Sequence, residues 1–123
     1  MALRYFSEEA TNASRAQQIY QILVSLAHNR QTTTYGRLAG ILDFAGAGVF
    51  AGMLGHIMNW CDQNELPPLT ILVVNQETGL PGSGLTTPVN LHKEREQVFN
   101  FNWFDVVPPT AAELAAAHAV GIR

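Results

Sequence analysis

The apolar residues from position 19 to position 61 recur mainly three or four residues apart, which is the spacing of amphipathic helices. This pattern predicts a helix over residues 12–28, with Asn12 as its N-cap, and a short second helix over residues 35–42, capped by threonines 32–34. After a glycine-containing break at residues 46–48, a third helix is expected over residues 50–61. Three consecutive helices place the first half of the chain in a mainly helical class.

Two glycines, Gly52 and Gly55, lie inside the third predicted helix. Each costs about 1 kcal/mol relative to alanine in a helix interior. Such a cost is typical of a helix face that another segment approaches closely. That segment is either another helix of the same fold or a separate partner.

The second half of the chain mixes extended and helical patterns. Residues 69–74 form a β-branched run that predicts a buried strand, residues 75–79 a turn, and residues 80–84 a proline- and glycine-containing loop. Asn90 can cap a further helix, and Thr110 with Glu113 forms a capping box for a terminal alanine-rich helix. That last helix has few large apolar anchors, so it is either mobile or docked on a partner. We predict one α+β, mainly helical domain over residues 1–123, with a hairpin, a core at about 12–104 and a C-terminal helix at 110–120.

The charges are sparse and unevenly placed. The 123 residues carry 7 basic and 10 acidic side chains, a net charge of −3, and no Lys or Arg occurs between Arg37 and Lys93. This distribution argues against non-specific coating of nucleic acid, which needs many phosphate-neutralising cations. Because no apolar stretch reaches the roughly 18 residues of a membrane span, and the first ten residues do not resemble a signal peptide, we expect no membrane contact and a cytoplasmic protein.

Catalytic and metal-binding patterns are absent from the sequence. The single cysteine, Cys61, excludes an internal disulfide and any zinc site built on two thiolates, and its place on an apolar helical stripe favours a buried, inert thiol. No two of the four histidines have the i, i+4 spacing of helical metal ligands. The glycines at 79–84 lack the Gly-Lys-Ser/Thr of a phosphate loop. We therefore predict no catalytic residues, no metal and no cofactor.

Residues 33–39, Thr-Thr-Tyr-Gly-Arg-Leu-Ala, resemble the Thr-Tyr-Gly signature that opens the helix-turn-helix of the O6-alkylguanine-DNA alkyltransferases and the alkyltransferase-like proteins. In that family a helix with an Arg-Ala-Val-Gly motif follows, and then a strand, a glycine-rich loop and a final helix. In this chain, residues 52–55, 66–75, 78–84 and 93–99 take those positions. The resemblance covers about residues 15–99 and implies a winged helix-turn-helix-like domain in which the hairpin is the wing.

Two departures limit what the resemblance implies. The alkyl-accepting cysteine of the family lies in Pro-Cys-His-Arg at the end of the strand, where this chain has Leu72-Val73-Val74-Asn75. The family's arginine that replaces a flipped base corresponds here to Gly52. The resemblance therefore implies neither alkyl transfer nor base flipping by that arginine. The resemblance still implies the winged-helix scaffold and a role for Tyr35, which in the family contacts the DNA backbone.

The first functional hypothesis is a non-enzymatic winged-helix module that binds duplex DNA. The threonine and arginine side chains around the second helix would face phosphates, and two polar residues of the third helix would reach bases or phosphates. So few cations predict weak, salt-sensitive binding. The residues predicted to contact DNA are Thr33, Thr34, Tyr35, Arg37, Arg30, His56 and Asn59.

The second hypothesis is a small protein-interaction or regulatory module, such as an adaptor, an inhibitor or a subunit, on the same scaffold. The segment without basic residues, the glycine face of the third helix and the aromatic residues 99–104 would form a neutral surface of the kind that protein partners contact. The Gly48–Gly52 spacing and the aromatic residues would also support a homodimer. The sequence leaves both hypotheses open.

Overall fold

The computed structural model describes residues 3–6, 10–43, 50–81 and 90–121. Within these ranges the protein is mainly helical with one small parallel sheet, which agrees with the predicted helical content. The α-helices are α1 (Asn12–His28), α2 (Tyr35–Leu42), α3 (Phe50–Gln63), α4 (Leu91–Asn100) and α5 (Ala111–Val120). The strands are β1 (Thr33–Thr34) and β2 (Val73–Val74), and two 3-10 helices span Leu69–Leu72 and Trp103–Asp105. The glycines at 46–48 and residues 82–84 of the predicted loop lie outside the described residues.

The helix starts follow local capping chemistry. The prediction of Asn12 as the N-cap of α1 is wrong, because Thr11 occupies that position and Asn12 is the first helical residue. The Ser14 N–H donates to the Thr11 hydroxyl at 3.1 Å, and the Thr11 N–H donates to the Ser14 hydroxyl at 2.9 Å. This reciprocal pair satisfies two backbone donors, which a cap at Asn12 would not do. The predicted caps of the other helices are confirmed at Thr34, Asn90 and Thr110.

The predicted strand over residues 69–74 is wrong for its first four residues. Leu69–Leu72 form a buried 3-10 helix, and only Val73 and Val74 are extended. Val73 pairs in parallel with Thr33, and Val74 with Thr34. A short, continuous apolar run indicates only that the segment is buried on all sides. Its periodicity does not distinguish a buried helical turn from a buried strand.

The predicted turn after β2 is confirmed. The Gly79 N–H donates to the Asn75 carbonyl at 2.8 Å, and the Asn75 N–H donates to the Leu80 carbonyl at 2.8 Å. Gly79 has a φ of 71°, a conformation that a residue with a side chain adopts at a cost. Val74 then forms an isolated antiparallel bridge with Pro81, so the described part of the loop does fold back beside β2.

The core forms around α1, which packs against α3, α4, α5 and the Leu69–Leu72 helix. Its fully buried residues include Ile19 and Leu23 on α1 and Leu54 and Ile57 on α3. Burying such a side chain stabilises the fold by about 1.5–3 kcal/mol. No helix in the described part of the chain has the length and apolar character needed to cross a membrane.

The C-terminal helix α5 docks on α3 and α1 of its own chain. A Cβ at Gly55 would lie 3.6 Å from Cε1 of His118, and one at Gly52 would lie 3.4 Å from Nδ2 of Asn12. Of the two explanations for these glycines, close approach by another helix of the same fold is therefore the one the structure supports.

Candidate functional site

An open pocket lies where the two parallel strands end. β1 leads into Tyr35 and Gly36 at the start of α2, and β2 leads into Asn75. These residues line the pocket together with Gln76 and Glu77, and its volume is about 600 Å³. Pockets of this size, at the carboxyl ends of strands, are typical places for ligands. The sequence identifies Tyr35 but misses residues 75–77, because no local pattern shows that residue 34 pairs beside residue 74.

The pocket wall from residues 75–77 is polar and carries no cation. The side-chain oxygen of Asn75 accepts hydrogen bonds from the N–H groups of Glu77 at 2.8 Å and Thr78 at 3.4 Å, so this side chain shapes the turn. Glu77 is exposed and supplies the one formal charge among the five lining residues. The pocket itself is therefore neutral to negative.

The other wall is the N-terminus of α2. The Thr34 hydroxyl accepts a hydrogen bond from the Arg37 N–H at 3.1 Å and caps the helix. Tyr35 is half-buried, with its ring 6.4 Å from that of Phe50. Arg37 is exposed and forms no ion pair with any residue that the structure describes. Thr34, Tyr35 and Arg37 therefore lie together beside the pocket, as the sequence predicts.

Arg30 is engaged elsewhere. Its Nη2 lies 2.6 Å and 2.7 Å from the two carboxylate oxygens of Glu96, and its guanidinium lies 5.0 Å from the centre of the Phe99 ring. The hydrogen bond from Arg30 lowers the pKa of the Glu96 carboxyl. Arg15, the other arginine of α1, lies over the Phe6 ring and donates to Gln18. Because α1 separates Arg15 from Arg30 by about 20 Å, these arginines do not form one basic patch.

Three of the predicted contact residues are buried. Thr33 is 4% exposed within the sheet, and His56 and Asn59 are each 6% exposed on α3. The His56 ring stacks on that of His118 from α5, and its Nδ1 lies 2.7 Å from the Gly52 carbonyl. A base edge or phosphate cannot reach side chains buried to this extent, and α5 is the element that covers His56. The spacing of residues within α3 does not predict this burial, because the helix that covers His56 lies some fifty residues further along the chain.

The cysteine environment agrees with an inert thiol. Cys61 is buried, and burial raises its pKa to about 12. Burial, with a smaller contribution from Cys61, also raises the pKa of Tyr20 to about 12, and the Tyr20 hydroxyl has no hydrogen-bond partner among the described residues. A thiol that stays protonated at neutral pH is a poor nucleophile.

A second cavity, of about 570 Å³, lies between the proline-containing segment before the Leu69–Leu72 helix and the end of α4. It was not predicted from the sequence, since its walls are separated by some thirty residues. The residues that line the second cavity are Glu65, Leu66, Pro67, Pro68, Gln97, Asn100 and Phe101.

Among the described residues, no group of three or more His, Cys, Asp or Glu side chains could hold a metal ion.

Comparison of the chain with protein-family models, with curated proteins and with solved structures finds no match in any of the three. The resemblance carried by residues 33–39 therefore remains a prediction from the sequence, and function has to be argued from the pocket and the surface around it.

Proposed function

We propose that this chain is a non-enzymatic DNA-binding module, on a winged helix-turn-helix-like scaffold, that contacts duplex DNA through Thr34, Tyr35 and Arg37. The observation that carries the proposal is the exposed Arg37, without an ion pair among the described residues, directly beside the pocket that Tyr35 and Gly36 line. The turn at residues 75–79, which forms the opposite wall, serves as the base of the wing.

The chemistry of this corner suits a phosphate of the DNA backbone. The N-terminus of α2 carries the positive end of the helix dipole, and the Arg37 guanidinium adds a full charge within the first turn. Gly36 is exposed, and nothing lies within 4 Å of the position that its Cβ would take. A sugar-phosphate backbone could therefore approach α2 closely here. Phosphate contacts of this kind fix the position of a protein on DNA without reading its sequence.

The binding is expected to be weak. With Arg30 paired and His56 and Asn59 buried, Arg37 is the available cation among the predicted contact residues, while Glu77 repels phosphate from the pocket wall. Neutralising one or two phosphates gives a salt slope of only about −1 to −2 and affinities in the range of about 10⁻⁴ to 10⁻⁶ M at best. Useful affinity would then require a second copy of the module or a second site on a larger assembly.

Fluorescence anisotropy with a labelled duplex tests the proposal. We expect binding at low salt that weakens at physiological salt, and loss of most of it in Arg37→Ala. Gly36→Ala should weaken binding by closing the approach to α2, whereas Gly40→Ala, an equally exposed and uncrowded glycine one turn further along α2, should not. No binding at about 100 µM protein in low salt, or binding unchanged in Arg37→Ala, would refute the proposal.

A protein-interaction module, with no DNA contact, is the second candidate. It is favoured by Phe104 and Val107, which are 66% and 84% exposed and lie three residues apart before α5. Exposed aromatic and aliphatic side chains of this kind are typical of protein interfaces. Capture of a partner that is retained at high salt and lost in Phe104→Ser would favour this candidate, because phosphate contacts fade as salt rises.

A further inference from the structure

Helix α5 covers one face of α3. His56, Asn59 and Gln63 recur three or four residues apart and so share that face, and Gly55 lies four residues before Asn59. The His118 ring of α5 lies against both Gly55 and His56. Further along the same face, Nε2 of Gln63 donates to two carbonyls of the α5 end, at 2.8 Å and 2.7 Å. The face that carries His56 and Asn59 is therefore the docking surface of α5.

Helix α5 packs along α3 and α1, but few large apolar side chains anchor it. Leu114 and Ala117 are its only buried residues, and Leu114 is the only large apolar one. Polar attachment comes from Gln63, from the pair of histidines and from Gln17 of α1, whose Nε2 donates to the Pro109 carbonyl at 3.3 Å. A helix with one large anchor can be released without unfolding the core that α1 and α3 form.

The two histidine rings form a parallel stack. Their centres are 4.0 Å apart and their planes differ by 4°. His56 is buried and His118 exposed, and Nδ1 of His56 lies 2.7 Å from the Gly52 carbonyl. Because a carbonyl only accepts, Nδ1 carries a hydrogen and Nε2 is the nitrogen that takes up a proton in acid. Protonation of both rings would place two like charges about 4 Å apart in a partly buried contact.

No described carboxylate is placed to offset that repulsion. On α5, Glu113 accepts the Thr110 N–H at the far end of the helix. On α3, Asp62 is exposed and lies six residues beyond His56, about 9 Å along the helix axis. On α1, the charged Arg15 is bonded to Gln18 and lies over Phe6. The titratable groups buried in the core on α1 and α3, Tyr20 and Cys61, are uncharged in acid. Neither histidine forms an ion pair with a described residue.

We propose that α5 is an acid-sensitive cap on α3, docked while at least one of the stacked histidines is neutral and released when both are charged. In the released state water separates the two rings, so the repulsion disappears, and acid therefore favours release. The consequence for DNA rests on the proposed function: release would expose His56 and Asn59 and add two contacts to those of Arg37.

Nuclear magnetic resonance of the labelled protein tests the cap directly. Between about pH 7.5 and pH 5 we expect the amide signals of α5 to move to unfolded positions while those of α1 stay native. His118→Phe keeps a stacked ring without the charge, so its α5 should stay docked over the same range. His92→Phe removes an exposed histidine of α4 outside the stack and should behave like the wild type. If His118→Phe does not fold, His118→Gln replaces it.

Three outcomes would overturn the cap: α5 stays docked in the wild type at pH 5, α5 and α1 unfold together, or His118→Phe releases α5 as the wild type does. DNA binding is measured separately on the same variants. If α5 is released but the affinity does not rise above that of the His92→Phe control, the acid-sensitive release of α5 is supported. Only the role of His56 and Asn59 in DNA contact is then refuted. An affinity that rises at least threefold in the wild type but not in His118→Phe supports both.

Discussion

Arg30 and Glu96 form an ion pair in which a single nitrogen, Nη2 of the arginine, lies 2.6 Å and 2.7 Å from the two carboxylate oxygens. The side chains remain 52% and 36% exposed, so solvent screens the pair and it adds little to the stability of the fold. Its larger effect is on binding, because a phosphate would have to displace the carboxylate from the guanidinium. Arg30 and Arg37 therefore differ in their availability to phosphate, although the sequence predicts the same role for both.

Arg37→Ala should therefore weaken DNA binding more than Arg30→Ala. Arg37 has no ion pair to give up among the described residues, whereas Arg30 must leave Glu96. Loss of one phosphate contact of about 0.7–1.4 kcal/mol corresponds to a three- to tenfold weaker Kd, and Arg30→Ala should stay within about twofold of the wild type. Anisotropy titrations at one low salt concentration compare the two variants, and equal losses would contradict this assignment.

The ion pair can be followed through the pKa of Glu96. The hydrogen bond and the charge of Arg30 lower this pKa, so Arg30→Ala should return it to the usual range of a glutamate. Because the pKa is lowered in the folded state, the stabilisation is present at neutral pH and is lost as the pH falls through that lowered value. Carboxyl carbon resonances of the wild type and the variant measure the shift, and Glu113, in the capping box of α5, serves as the internal control.

Replacing glycine by alanine should change the free energy of unfolding in opposite directions in α2 and in the turn at residues 75–79. Gly36 and Gly40 are helical, exposed and uncrowded, so Gly36→Ala and Gly40→Ala should each raise the free energy of unfolding by about 0.5–1 kcal/mol. Gly79→Ala should lower it by about 1 kcal/mol, because φ is positive there. Urea denaturation of the three variants measures these changes, and a stabilising Gly79→Ala would contradict the turn geometry.

Helix bounds and the N-caps of α2, α4 and α5, but not that of α1, could be predicted because their signals are local. The apolar stripes of α1 and α3 and the Thr110 cap are complete within a few turns of sequence. The candidate site depends instead on distant parts of the chain. The pocket exists because Thr34 pairs beside Val74, and His56 is buried because His118 stacks on it. A helical stripe predicts that one face is covered, but it does not say by what.

The buried thiol and phenol should make the fold sensitive to alkali. The pKa of Cys61 rises from 9.0 to about 12 and that of Tyr20 from 10.0 to about 12 on folding. Both groups ionise first in the unfolded chain, so stability falls above about pH 9 through Cys61 and above about pH 10 through Tyr20, by about 1.4 kcal/mol per pH unit for each group up to about pH 12. Urea midpoints across this range measure the slope, and Cys61→Ala should reduce it between pH 9 and 10, where Tyr20 contributes little.

Thr34 can separate a structural role from DNA contact, because its hydroxyl caps α2 and also lies at the proposed interface. Thr34→Ala should lower the free energy of unfolding by about 1 kcal/mol through loss of the hydrogen bond to the Arg37 N–H. Thr34→Ser keeps that hydroxyl and should restore the stability. If the serine variant also restores DNA affinity, Thr34 acts through its oxygen, by orienting Arg37 or by touching phosphate. Full stability with reduced affinity would instead assign the contact to the threonine methyl group, against the phosphate model.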